Sequence, residues 1–299
     1  MAITGNGLIT NPWHITTLAD LKDVAARKVD NYSTAGRGGY IVLDADINCN
    51  EQCPDGWTTI TTAHNIDLNG HAIIAPLIKD GNNLFFNNAI DSKISNGYIH
   101  NIYTDFTGEG KIFRSGNYTS YGYLLENLQI SFRGRGENVC SEVRKINKCQ
   151  IEISGKIGTT NGYPLFQCPS SADAVTGSRF ILDYTSNNVL LLLPVSSNYT
   201  VSNCMFEGKG KNLSINSEAD QPGGANQGYI KSSIIAFTPS EQSVGRGYTL
   251  SGNCLVLDNG NNKMAVRFNT SSSAALISDA DLKSVQKVTE AGFTVIEVV

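Results

Sequence analysis

The sequence predicts an all-β protein that folds as a parallel β-helix, a solenoid with a short helical cap at each end. Two observations predict this fold. A six-residue phrase that begins and ends with an aliphatic or aromatic residue recurs between positions 94 and 255, and its start positions lie 20 to 31 residues apart. A second, shorter apolar run precedes several of the phrases. A repeat of this length indicates stacked units that bury their apolar faces against one another.

The phrases have the composition of short strands. They alternate with a period of two and are bounded by Asn, Gly and Ser, whereas helical repeats need longer runs with a period of 3.6. The seven phrases are ISNGYI at 94–99, LENLQI at 125–130, INKCQI at 146–151, VTGSRF at 175–180, VSNCMF at 201–206, IKSSII at 230–235 and LSGNCL at 250–255.

The shorter apolar runs keep a nearly constant distance from the phrases. They are LFF at 84–86, KIF at 111–113, PLF at 164–166 and LLLLP at 190–194. Phe85 lies nine residues before Ile94, and Phe166 lies nine residues before Val175. This offset predicts two strands joined by a defined corner, with the variation in length confined to a third side of each unit.

Each position of the phrase has a predicted role. The sixth residues should form a continuous core ladder: Ile99, Ile130, Ile151, Phe180, Phe206, Ile235 and Leu255. Cys149 and Cys204 fill the fourth position, where they should behave as small hydrophobic residues. Asn recurs at the third position, where its amide could bond to the next unit or its backbone could form a left-handed corner.

One structural domain is predicted, with three parts. Residues 1–39 should contain a capping helix at 15–29 with Thr17 as its N-cap, residues 40–258 should form the β-helix, and residues 259–299 should form a C-terminal cap with Ser278 as the helix N-cap. Such caps would cover the open ends of the stack, which otherwise expose unpaired backbone groups.

Charge and hydropathy exclude two classes of partner. The net charge of −4 gives no basic face for nucleic acid, and RGRG around Arg133 and Arg135 is interpreted as a loop. The start of the chain lacks a basic, then apolar, secretory signal, and the apolar run at 189–195 is too short to span a bilayer. The expected route is synthesis in the host cytoplasm without membrane insertion, then assembly into a particle.

Seven cysteines raise the question of metal ligation or disulfides. Cys49 and Cys53 form a C-x3-C pair that could bind a metal together with His64, close a small disulfide, or stay reduced. The odd total favours reduced thiols. We therefore predict no metal and no cofactor.

Five segments in the first half of the chain follow the order of a known repeat. They are DADI at 44–47, WTTI at 57–60, DLNGHAI at 67–73, LFF at 84–86 and ISNGYI at 94–99. This order resembles the GLUG-type β-helix repeats of bacterial adhesins and phage structural proteins, over roughly residues 15–150, although the glycines that frame LF in the family are missing here. The resemblance implies a right-handed β-helix that serves as a scaffold or binding surface, with no catalytic residues to transfer.

Carboxylates on neighbouring units could still cleave a polysaccharide, as in pectate lyases and phage tailspikes. The candidates are Asp44 with Asp46, Asp67 with His71, Asp91, and Glu207 with Asp183. Because no group combines two acids with a base or cation at recurring positions, no catalytic residue is predicted and a structural role is favoured.

A cluster of tyrosines is the candidate binding surface. Tyr98, Tyr103, Tyr118, Tyr121 and Tyr123 are predicted to gather on adjacent units, where sugars could stack on their rings. The alternative is that these amphipathic residues simply cover half-exposed strands.

The resulting expectation is a non-enzymatic structural protein at the virion surface of a bacteriophage, as a capsid decoration, head fibre or tail spike component. Its expected partners are other capsid or tail proteins, host surface polysaccharide, and further copies of itself in a trimer. The alternatives are a polysaccharide-cleaving tailspike and a bacterial surface adhesin.

Overall fold

The structure is a computed structural model that describes most of the first half of the chain and shorter segments of the second half. The described residues are 3–27, 38–87, 91–105, 110–116, 122–134, 139–155, 166, 175–184, 190–191, 200–210, 213–214, 228–231, 234–239, 248–251 and 255–256. The predicted C-terminal cap at 259–299 lies outside them.

Short strands dominate these residues. The helices are α1 (Leu18–Ala25) and α2 (Cys49–Gln52). The strands up to residue 134 are β1 (Trp13–Ile15), β2 (Tyr40–Leu43), β3 (Ile47–Asn48), β4 (Ile60–Thr61), β5 (Asn65–Asp67), β6 (Ala72–Ile74), β7 (Leu77–Lys79), β8 (Phe85–Asn87), β9 (Ser92–Asp105), β10 (Gly110–Lys111), β11 (Phe113–Ser115) and β12 (Tyr123–Gly134). The later strands are β13 (Val139–Cys140), β14 (Val143–Asn147), β15 (Gln150–Gly155), β16 (Val175–Thr176), β17 (Arg179–Tyr184), β18 (Leu190–Leu191), β19 (Thr200–Ser202), β20 (Met205–Gly210), β21 (Leu213–Ser214), β22 (Gly228–Lys231), β23 (Ile234–Pro239), β24 (Tyr248–Ser251) and β25 (Leu255–Val256).

The strands form one large parallel sheet and three small ones. Eighteen strands belong to the large sheet, and every pairing between the named strands is parallel. The predicted all-β class is therefore confirmed.

Two rows of pairings run through the large sheet, and they correspond to the two ends of the phrase. Row 1 aligns the first positions, in the order Trp13, Ile41, Ile66, Ile94, Leu125, Ile146, Val175, Val201, Ile230 and Leu250. Row 2 aligns the sixth positions, in the order Ile47, Ile73, Ile99, Ile130, Ile151, Phe180, Phe206, Ile235 and Val256. The members of both rows up to Phe206 are almost fully buried, so the predicted core ladder is confirmed over that length.

The last position of the ladder differs from the prediction. Leu255 pairs with Ile234, and the residue that continues row 2 beside Ile235 is Val256. The seventh phrase has one more residue between its row 1 and row 2 positions than the other phrases. Because side chains alternate between the faces of a strand, a shift of one residue exchanges the inward and outward positions.

A left-handed corner joins the two rows. The third residue of the phrase has positive φ in each described case: Asn96 (60°), Asn127 (52°), Lys148 (52°), Gly177 (55°) and Asn203 (53°). The corner interpretation is thus confirmed, since Asn and Gly adopt this conformation most readily. The amides also connect neighbouring strands, because Asn127 Nδ2 donates to Asn96 Oδ1 at 3.1 Å.

A third side of the core is built from the shorter apolar runs. Ile60, Phe85 and Phe113 align in the small sheet of β4, β8 and β11. They lie 6, 9 and 12 residues before Ile66, Ile94 and Leu125, so the offset predicted to be constant varies between these units. The rings of Phe85 and Phe113 stack with centroids 6.4 Å apart. Further along the chain, Phe166 packs edge to face against Phe180, whose ring stacks on Phe206 at 4.9 Å.

Helix α1 begins where the sequence predicts. The Thr17 side chain accepts a hydrogen bond from the Asp20 N–H, and the Asp20 carboxylate accepts one from the Thr17 N–H, which together form a capping box. Leu18, Leu21 and Val24 are buried. The Leu18 N–H donates to Gln52 Oε1 at 2.6 Å, which ties the helix to α2.

Candidate functional site

The structure divides the predicted tyrosine surface. Tyr98 and Tyr103 are half-buried, whereas Tyr123 is fully buried. Tyr118 and Tyr121 lie outside the described residues. The placement of Tyr123 on an exposed surface was wrong because the ring lies two residues before Leu125 on the same strand, and alternation puts both side chains in the core. There it contacts the rings of Phe85 and Phe113.

A polar groove of about 710 Å³ lies over the left-handed corners, and we call it the corner groove. It is lined by Asp67, Asn69, Gly70, Asn96, Gly97, Tyr98, Asn127, Leu128, Gln129, Lys148, Cys149, Gln150, Gly177 and Arg179. These residues come from five successive strands or corners of the large sheet, which at about 4.8 Å per strand gives a length of roughly 19 Å.

The fifth residues of the phrases form one wall of the corner groove. Tyr98 pairs with Gln129, Gln129 with Gln150, and Gln150 with Arg179 in the parallel register. Their side chains point away from the core because the fourth and sixth residues point into it. This wall was not predicted from the sequence. The one signal for it is a large polar residue at the fifth position of four successive phrases.

Hydrogen bonds hold most charges of the groove in place. Asp67 accepts from the Asn69 N–H at 2.8 Å and from Asn96 Nδ2 at 3.2 Å. Arg179 Nε donates to Glu207 Oε1 at 2.6 Å, and the two side chains are 33% and 21% exposed. Lys148 is exposed, and among the described residues no carboxylate lies within ion-pair distance of its ammonium group.

Four of the predicted acid candidates each contact a different basic side chain. The pairs are Asp44 with His14 (3.0 Å), Asp46 with His71 (3.3 Å), Asp91 with Arg144 (2.8 Å), and Glu207 with Arg179. His71 therefore contacts Asp46 rather than Asp67, and Asp46 also accepts a hydrogen bond from the Ala72 N–H. Asp67 is the one carboxylate among the described lining residues of the corner groove. This arrangement offers hydrogen-bonding groups and cations, which suit binding.

Among the described residues, Cys49, Cys53, Cys149 and Cys204 are not in disulfides. Burial raises the pKa of the Cys149 and Cys204 thiols to about 12, which fits their predicted role as small core residues. Burial and the neighbouring Cys53 raise the pKa of Cys49 as well. Both thiols of the C-x3-C pair are free, and His64 does not join them. Within the described segments, no three His, Cys, Asp or Glu side chains cluster as metal ligands would.

His64 instead connects two distant parts of the backbone. Its Nδ1 accepts from the Gly39 N–H at 2.6 Å, so its Nε2 carries the proton and donates to the Arg27 carbonyl at 3.1 Å. The ring also packs edge to face on Trp13, with centroids 5.0 Å apart. Burial lowers the pKa of His64 below its usual value.

We expect this histidine to make the protein less stable in mild acid. Between the lowered folded pKa and the ordinary value near 6.5, the unfolded chain binds more protons, so stability is complete above this window and is lost as the pH falls through it. Urea unfolding from about pH 8 to about pH 5 measures the effect. The fall in the free energy of unfolding between these pH values should be smaller in His64→Gln and unchanged in the control His100→Gln. An unchanged fall in His64→Gln would contradict the assignment.

Comparisons with known proteins give little further guidance. No protein-family model matches the chain, and no curated protein matches it. A crystal structure from Bacteroides ovatus, described as "a putative immunoglobulin A1 protease", is similar with 15% sequence identity and a TM-score of 0.43, and the match covers 92% of this chain and 83% of that one. A likeness this weak supports no inference about activity. Within the described residues, no helix has the length and hydropathy to cross a membrane.

Proposed function

We propose that the chain is a right-handed parallel β-helix that serves as a non-enzymatic structural protein on a bacteriophage virion. In this role it would be a capsid decoration, head fibre or tail spike component. Its partners would be other virion proteins and further copies of the chain, with host surface glycans as an additional contact.

The observation that carries the proposal is the repeated register of row 1, and of row 2 as far as Ile235. One phrase position pairs with the same position of the next phrase from Ile94 to Leu250. A left-handed corner separates the rows, and a third apolar side closes the core. These are the features expected of a β-helix, and the resemblance of residues 44–99 to GLUG-type repeats supports a scaffold role.

The pairing of the carboxylates supports a role without catalysis. A glycosidase of the usual kind needs two carboxylates about 5 to 9.5 Å apart in an open groove, one of them as an acid and the other as a base or nucleophile. Asp67 in the corner groove is held by two asparagines. A histidine or a cation holds each of Asp44, Asp46, Asp91 and Glu207. None of the described arrangements combines such a pair with the groove.

Localisation of the protein tests the proposal. Particles purified from the source culture by density gradient should contain the chain, and antibody-gold imaging should place it on the particle surface. Protein found free in the bacterial cytosol would contradict a virion role, and protein anchored on the bacterial surface would favour the adhesin alternative. Release of reducing ends or unsaturated sugars from host polysaccharide would show the cleaving tailspike instead.

A further inference from the structure

The corner groove has a shape that suits an extended ligand. It is open, crosses five successive units, and has a length of roughly 19 Å at the spacing of parallel strands. Its volume of about 710 Å³ lies in the range of small-molecule sites, but its lining is mainly polar. A chain of several sugar rings lying along the sheet fits this shape.

The middle of the groove presents side-chain amides. Gln129 is exposed, and Gln150, one strand further, is half-buried and donates from Nε2 to Glu152 Oε1 at 3.0 Å. Asn127 is exposed at the corner beside them. Amides both donate and accept hydrogen bonds, so they can bind the hydroxyl groups of a sugar in either orientation.

An aromatic ring stands at one end of the row. Tyr98 precedes Gln129 in the wall, and its ring lies against the His100 ring with centroids 5.1 Å apart and planes inclined by 25°. This stacking fixes the orientation of a half-buried tyrosine that lines the groove, where a tyrosine ring can offer both an apolar surface and a hydroxyl to a ligand.

Cationic groups stand at the other end. Arg179 closes the wall, and the Lys148 stem lies near Gly177, with Cγ 3.6 Å from the place of a Cβ on that glycine. Lys148 occupies a left-handed corner where other strands have Asn or Gly. Backbone geometry does not explain a lysine there, because lysine is less suited than Asn or Gly to positive φ. Its charge helps to lower the pKa of the Glu126 carboxyl, and because the residue lines the groove it can also attract an anionic ligand.

We propose that the corner groove binds an extended acidic oligosaccharide, with one sugar ring on Tyr98, hydroxyl groups on the glutamines, and a carboxylate near Lys148 and Arg179. The inference rests on the proposed function in that a virion surface would present the groove to host polysaccharide. The acidic character of the ligand follows from the two cations of the lining, Lys148 and Arg179, since the one carboxylate among the described lining residues, Asp67, is engaged by its asparagine neighbours.

Titration of the purified full chain with a length series of oligogalacturonates tests this inference. Calorimetry should show affinity that rises with chain length until the groove is filled, and weaker binding of neutral malto-oligosaccharides. Lys148→Asn keeps a residue suited to the left-handed corner and should weaken binding of the acidic series about tenfold. Tyr98→Ala should weaken binding of both series about three- to tenfold.

Matched variants separate the groove from the rest of the surface. Lys145→Asn and Tyr40→Ala remove an exposed lysine and a half-buried tyrosine that do not line the groove, and both should bind as the unmodified chain does. The inference would be overturned if no acidic oligosaccharide bound, or if the control variants lost as much affinity as the groove variants. Tighter binding of single-stranded DNA than of the oligosaccharides would also overturn it. The titration uses isolated protein, so a failure to bind would not contradict the virion proposal. Conversely, absence of the protein from the particle would not contradict a measured binding site.

Discussion

Replacement of Glu142 by alanine is expected to lower the free energy of unfolding by about 3 to 5 kcal/mol. The Glu142 side chain is only 3% exposed, and it forms an ion pair of 2.7 Å with Lys111, which is 26% exposed. Its second oxygen accepts from the Ser115 N–H at 2.6 Å. Removal of the carboxylate takes away one ion-pair contact of Lys111 and one acceptor for the buried Ser115 N–H at the same time.

An exposed ion pair between neighbouring strands provides the control. Glu126 and Lys93 are joined at 3.0 Å but are 40% and 43% exposed, so Glu126→Ala should cost less than about 1 kcal/mol. Denaturant unfolding at neutral pH compares the two variants, and Glu142→Gln, which keeps an acceptor oxygen, should fall between them. If Glu142→Ala and Glu126→Ala lowered the free energy of unfolding equally, burial would not strengthen the Glu142 contacts.

The repeat could be predicted because each phrase carries its own register. Ile94, Leu125 and Ile146 align as counted from the sequence, since a side chain that must enter the core leaves one choice of register in each strand. The left-handed corner was predicted from Asn96 and Asn127, and the structure adds Lys148, whose residue type gives no such signal.

Contacts between units were harder to predict from sequence. Glu142 meets Lys111 because β13, two residues before Glu142, pairs with β10, and neither of these two-residue strands belongs to a six-residue phrase. The corner groove is similarly the product of register, since Tyr98, Gln129 and Gln150 have no common residue type that a search for motifs would find. Tyr123 is different, because its burial could have been predicted by counting back two residues from Leu125.

Substitution of Phe180 by alanine should leave a cavity in a part of the core that is filled by a few aromatic side chains. Phe180 is fully buried between Ile151 and Phe206 in row 2, stacks on Phe206, and meets Phe166 from the third side. The lost burial and the cavity together should cost about 3 to 5 kcal/mol. Met205→Ala, at a half-buried fifth position on the adjacent strand, should cost much less.

The interruption should also change how the protein unfolds. Strands in row 1 and row 2 pair only with the strands before and after them, so the two ends of the stack influence each other through the units between. Weakening the Phe180 unit should therefore split one calorimetric transition into two, with the N-terminal units, which retain Phe85 and Phe113, unfolding at the higher temperature. A single transition displaced to lower temperature would show instead that the stack unfolds as one cooperative body despite the loss of its central ring.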